Sequence, residues 1–345
     1  MTSRAFEPLS REEVAKAIEK RNPSRIPLAL ATWFADDFAP PEGETLDRFE
    51  RFPQDVVHLW IEPIPLDRMG LSWRRRTDGA LDARAVLDDW SKLEEFVEKL
   101  PLPEEDAEFE RLADQADRAR KDDRYTLFGW WNFFFERLWS LRGMENALVE
   151  FYTEPDATRR LLDALRRHYL RYLERAADLL RPDGFFTSDD LGGQRAPTMS
   201  GETFREFFFP AYRAVGEFLD RRGLHFWLHS CGNNEPYFED LIEAGVDVFH
   251  PVQKSTMDQR EIVERYGDRL SFFAGFDVQK TLREASPEGV REETRRMIDL
   301  FDGERGGMIL GAGNGIVSGT PLENVAAFVE EALDYGASKR AILAD

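Results

Sequence analysis

The stretch HFWLHSCGN, residues 225–233, holds a histidine and the single cysteine of the chain two positions apart. On an extended segment, side chains at i and i+2 project to the same side. His229 and Cys231 can therefore reach one metal ion, and neutral imidazole with thiolate is a donor pair that suits zinc. A third and a fourth ligand must then come from elsewhere, with Asp189, Asp190, Asp277 and Asn314 as the candidates. The competing reading is a packed thiol beside a hydrogen-bonded imidazole.

Other residues could share in the chemistry. Asp189 and Asp190 are adjacent, so on an extended segment at most one of them faces a cavity, as a metal ligand or a general acid. The alternative use of such an aspartate is to cap the following turn. Gln253 can hydrogen-bond a substrate amide or ring edge. Asp277 can support His229 as a hydrogen-bond partner or cap a helix. Trp33, Phe34, Trp130 and Trp131 read as a flat aromatic wall, or as filler.

The elements that must position these groups alternate. Short apolar runs are expected as strands at 25–34, 55–63, 125–131, 184–190, 224–232, 246–253, 270–277 and 306–314, most of them followed by an amphipathic helix. Ser10 with Glu13, and Thr320 with Glu323, have capping-box spacing. One helix is expected from Ser200 to about Arg222 despite Pro210 in its middle. Near-continuous apolar strands suit a parallel sheet buried on both faces. Eight such units predict a single α/β domain over residues 1–345, a (β/α)8 TIM barrel with an N-terminal helical extension. Residues 103–123, almost all charged, are expected as an inserted surface helix with a thin stripe of Phe109, Leu112 and Ala113. The other architecture considered is a doubly wound sheet in two domains, but no GxGxxG follows a strand. In a barrel, catalytic groups sit at the carboxyl ends of the strands, where the residues named above fall.

The bulk composition removes several classes. Forty-six basic against 66 acidic residues give a net charge of −20, a field that repels nucleic acid and anionic lipid. A single cysteine excludes a disulfide framework within the chain. No apolar run is long enough for a membrane span, and the N-terminus has no signal-peptide core, so a cytoplasmic protein is expected.

The order HSCGN, GVDVFHPVQ, FAGFDVQKTL and GGMILGAGNGIVSGTPLENVAAFVEEALDYG, preceded by SDDLGGQRAPTMSGETFREFFFPAYR, resembles the uroporphyrinogen decarboxylase superfamily. The resemblance is to its branch of decarboxylase-like proteins related to corrinoid-dependent methyltransferases, and covers residues 180–336 most strongly. It implies a (β/α)8 barrel and zinc held by the His229-x-Cys231 pair plus a later cysteine. That later position falls at about Asn314, a departure that leaves a neighbouring carboxylate to complete the site. It implies a methyltransferase that moves a methyl group between methylcobalamin, presented by a corrinoid-binding partner protein, and a small acceptor such as a thiol or folate. Asp189 and Asp190 are then catalytic, and Trp33, Trp130, Gln253, Asp277 and Asn314 bind substrate. The true decarboxylases carry an arginine-rich motif where this chain reads ALATWFADDF. The alternatives are a metal-free lyase acting on a smaller carboxylated substrate and a non-catalytic small-molecule binding barrel. A homodimer is the candidate assembly.

Overall fold

The computed structural model describes residues 6–30, 54–71 and 85–344. Trp33 and Phe34 lie outside these residues.

Seven strands are present among the described residues: β1 (Val56–Trp60), β2 (Tyr125–Trp130), β3 (Gly184–Ser188), β4 (His225–His229), β5 (Val248–His250), β6 (Ser271–Phe276) and β7 (Met308–Ala312). They form one sheet in the order β1 to β7, each strand beside its predecessor in sequence. A doubly wound sheet would instead reverse its order at a switch point. The eight-strand expectation is met for seven. From the first expected strand, 25–34, Leu28 makes an isolated parallel bridge to Leu310 and Ala29 an antiparallel bridge to Gln54, and the rest lies outside the described residues.

The contacts divide the chain into two compact units. The first holds residues 1–58, 119–127 and 247–345. In it β5 and β6 run parallel with Val248 opposite Ser271, and β6 and β7 with Phe272 opposite Met308. Its N-terminal helix, Arg11–Ile18, is capped by Ser10 Oγ, which accepts from the Glu13 N–H. Only half of the expected capping box forms, because the Glu13 carboxylate turns to Lys16 and to the Ser24 N–H. At the second expected box, Thr320 donates its hydroxyl to the Val317 carbonyl, in the turn before helix Leu322–Ala344. Asp55 is fully buried and satisfied by the Arg25 guanidinium and the N–H groups of Leu9 and Leu28.

The second unit holds residues 59–118 and 128–246. Here β3 and β4 run parallel, with Ser188 opposite His229 at their carboxyl ends. The helix expected from Ser200 to Arg222 is two helices, Gly201–Phe207 and Phe209–Arg222. Pro210 has no N–H to donate into the preceding turn, and it sits where that loss is harmless, in the first turn of the second helix. The charged segment forms helix Glu108–Lys121, and its apolar stripe runs deeper than expected: Phe109, Leu112, Ala116 and Ala119 are buried, whereas Ala113 is half-buried. Phe109 stacks near Phe128 and Tyr172, which makes this helix part of the core packing.

Candidate active site

The register of β3 on β4 decides which groups meet. With Ser188 opposite His229, the residues just beyond the two strand ends, Asp189–Asp190 and Ser230–Cys231, run side by side, and the Asp189 N–H donates to the His229 carbonyl at 2.9 Å. The side chains of Asp190, His229 and Cys231 converge, each offering one donor atom, all within 4.8 Å of one another. His229 Nε2 lies 3.5 Å from Cys231 Sγ and 3.7 Å from Asp190 Oδ1. Donors about 2.0–2.3 Å from a tetrahedral zinc are separated by roughly 3.3–3.8 Å, and both separations from His229 Nε2 fall in that range. The Cys231 N–H donates to Asp190 Oδ1 at 2.8 Å and orients the carboxylate. Burial lowers the His229 pKa, against the opposing pull of Asp190, and so favours the neutral imidazole that a metal requires. His229 is buried, Cys231 half-buried, and the Asp190 side chain 42% exposed, so the cluster opens to solvent on the carboxylate side.

The loop that carries Cys231 is tied down by small residues. Gly232 has φ +86°, and a Cβ there would meet the Gly192 carbonyl oxygen at 2.3 Å. A side chain at Gly192 would likewise strike the Cys231 carbonyl at 2.5 Å. Only glycine allows the two loops to approach this closely at that dihedral. Ser230 Oγ accepts from the Leu191 N–H and donates to Asn234 Oδ1. Asn234 Nδ2 in turn is shared among the carbonyls of Ser230, Cys231 and Gly232.

Asp189 points the other way, as alternation requires. It is fully buried and accepts from the N–H groups of Phe134, Phe135 and Glu136, at 3.3, 3.1 and 2.7 Å, and from the Tyr212 hydroxyl at 2.6 Å. Burial raises its pKa to about 6 against these bonds. Its carboxylate pins the start of helix Phe135–Arg142 to β3, which is a positioning task. Glu136, buried and bonded by the Ser188 hydroxyl at 2.7 Å, has its pKa pushed well up by burial and by the charges of Asp190 and Asp189. It is a third acid of this cluster that sequence reasoning did not single out. Glu136 stands in no strand-end motif, and only the fold brings it beside Ser188.

The aromatic expectation needs one correction. Trp130, the last residue of β2, is fully buried against Tyr169, Phe185 and Phe128, and so belongs to the core rather than to a substrate surface. Trp131, one residue on and facing the opposite way, is 39% exposed. Its ring stacks on Trp60 at 5.6 Å, meets Phe186 edge-on, and lies 5.8 Å from the His229 imidazole.

In the first unit, Gln253, Asp277 and Asn314 line a cavity of about 270 Å³ together with Phe276 and Met297. Asp277 is chiefly a turn cap, accepting from the N–H groups of Gln279, Lys280 and Thr281 and from the Thr281 hydroxyl. Its pKa is lowered by these bonds, which outweigh burial. Asn314 is exposed, and its side-chain oxygen accepts from the Gly315 N–H.

A sequentially ordered sheet carrying nitrogen, sulfur and oxygen donors at adjacent strand ends defines an α/β enzyme scaffold with a candidate metal centre. The family model described as uroporphyrinogen decarboxylase (URO-D) matches residues 64–335, and the chain belongs to that family. Among curated relatives, it is 28% identical over 193 residues to the methylated-thiol–coenzyme M methyltransferase of Methanosarcina mazei. That match spans 55% of this chain and about half, 48%, of that protein. It is 25% identical over 299 residues to the uroporphyrinogen decarboxylase of Vibrio campbellii, covering 83% of this chain and 80% of that one. Among solved structures, a methyltransferase from Methanosarcina mazei shares the fold, with a TM-score of 0.68 at 17% identity over 95% of this chain and 99% of that one.

Proposed function

We propose that this enzyme is a methyltransferase that moves a methyl group between a corrinoid, carried on a separate protein, and a small thiol or folate, and that Asp190, His229 and Cys231 hold a zinc ion. The observation that carries the reading is the convergence of these three donors within 4.8 Å. The likeness to a methyltransferase acting on methylated thiols supports it. When bound, zinc supplies Lewis acidity that lowers the pKa of a coordinating thiol. The chain's own residues do the rest. Burial keeps His229 neutral, so that its lone pair is available. The Cys231 N–H holds Asp190 in place. Asp189 fixes the strand end and the facing helix, while Trp131 walls the cluster.

Zinc analysis of the purified protein, followed by a spectral assay of methylcobalamin demethylation with thiols and tetrahydrofolate, tests this. Stoichiometric zinc and acceptor-dependent loss of the methyl group are expected. A protein with neither overturns the proposal.

A second reading is a metal-free lyase acting on a smaller carboxylated substrate. It draws support from the longer match to a decarboxylase. It predicts carbon dioxide release without cobalamin and without zinc.

A further inference from the structure

Resting on the methyl-transfer reading, we infer that the surface formed by Trp131 and Trp60 binds the methylated headgroup of an onium cation, a quaternary ammonium or a sulfonium, as the small methyl donor. The two indole rings stack at 5.6 Å with an interplanar angle of 18°, and both stand edge-on to the buried Phe186 ring. Phe186 thus fixes the pair from below, and Trp131 keeps 39% of its surface open. A fixed, partly exposed indole face presents the negative lobe of its quadrupole, and methyl groups around a cationic centre complement it in shape and in charge.

The neighbouring charges favour the same ligand. The Trp131 ring lies 5.8 Å from the His229 imidazole. His229 Nε2 is 3.7 Å from Asp190 Oδ1, on a side chain 42% exposed. The Arg137 guanidinium is buried and bonded to Glu62, so it offers no exposed positive charge against a cation. The whole chain, at −20, adds a field that draws cations in. A neutral thioether would gain only the apolar contact.

Transfer from such a donor breaks one C–N or C–S bond. The methyl carbon passes to the reduced cobalt of the corrinoid partner, which supplies the electron pair of the new bond. The bonding pair of the broken bond stays with the departing amine or sulfide, so the onium charge is lost. The closeness of Trp131 to His229 places the headgroup beside the polar cluster.

Calorimetric titration with choline, and with its uncharged carbon isostere 3,3-dimethylbutan-1-ol, tests the site. Choline is expected to bind about tenfold more tightly than the isostere. Trp131→Leu should abolish this preference and Trp131→Phe should keep most of it, both with the melting temperature of the parent. Equal affinity for the two ligands, or an unchanged preference in Trp131→Leu, would overturn the inference. Zinc uptake beside a flat choline titration sinks the onium site and leaves the metal centre standing. Choline preference without zinc uptake upholds the onium site and sinks the metal centre.

Discussion

Asp190 Oδ1 accepts a hydrogen bond from the Cys231 N–H at 2.8 Å while lying 3.7 Å from His229 Nε2. One carboxylate therefore both anchors the backbone of the cysteine loop and stands as the third donor of the cluster. These roles can be separated by substitution. Asn at 190 keeps an oxygen for the Cys231 N–H but is a poor zinc ligand beside imidazole and thiolate. Asp190→Asn is expected to fold with the parent's melting temperature and to lose zinc affinity by at least about 10–100-fold, the scale of supporting-shell losses around metals. Competition with a chromophoric chelator reads the affinity, and parent-like retention of zinc would remove Asp190 from the ligand set.

Asp189 is the structural twin of Asp190, and its role shows in stability. Tyr212→Phe deletes the 2.6 Å bond and leaves a buried carboxylate with one donor fewer. A loss of about 1–3 kcal/mol is expected in urea denaturation. The same change made in an Asp189→Asn background should cost less, because the two groups share one network.

The adjacent tryptophans predict opposite outcomes. Trp130→Ala empties a fully buried site and should destabilise by about 3–5 kcal/mol. Trp131→Ala, at a partly exposed position, should cost less than about 1 kcal/mol while impairing ligand binding. Thermal melts of the two variants, side by side, check the assignment of one ring to the core and the other to the site.

The difference between these rings shows what could be read ahead of the fold. The strand runs were legible because fully buried parallel strands are continuous apolar stretches, and β2 through β7 fall within the expected ranges. The same continuity hides which face each residue takes, so Trp130 and Trp131 could not be told apart. His229 and Cys231 stood out because their spacing alone puts them on one side. Asp190 over Asp189 needed the register of β3 against β4. Glu136 and Ser230 are common polar residues with partners on other segments, Ser188 and Leu191, and nothing local marks them. Of the two uses expected of Asp277, the turn cap is present, because an aspartate two to four residues before N–H groups satisfies them at once.

Buried histidines outside the cluster weaken the fold in acid. His168 is buried, and its Nε2 sits 2.7 Å from the Pro63 carbonyl oxygen. Burial pushes its pKa down to about 4 from 6.5, with the Pro63 contact opposing. Between these values the unfolded chain binds more protons than the folded one. Stability therefore rises with pH through that window and is lost as pH falls, by up to about 3 kcal/mol for this one group. His58, lowered by burial to about 3, acts in the same direction. His168→Gln should flatten the acid limb of a plot of stability against pH between 4 and 6.5. A limb of unchanged slope would assign it to other groups.

Zinc K-edge X-ray absorption on the zinc-loaded protein tests the central claim most directly. One sulfur scatterer near ~2.3 Å, with nitrogen and oxygen scatterers near ~2.0–2.2 Å, is the result predicted for Cys231, His229 and Asp190, and the sulfur shell should vanish in Cys231→Ser. A spectrum without sulfur in the parent protein, or zinc that washes out on desalting, would contradict it.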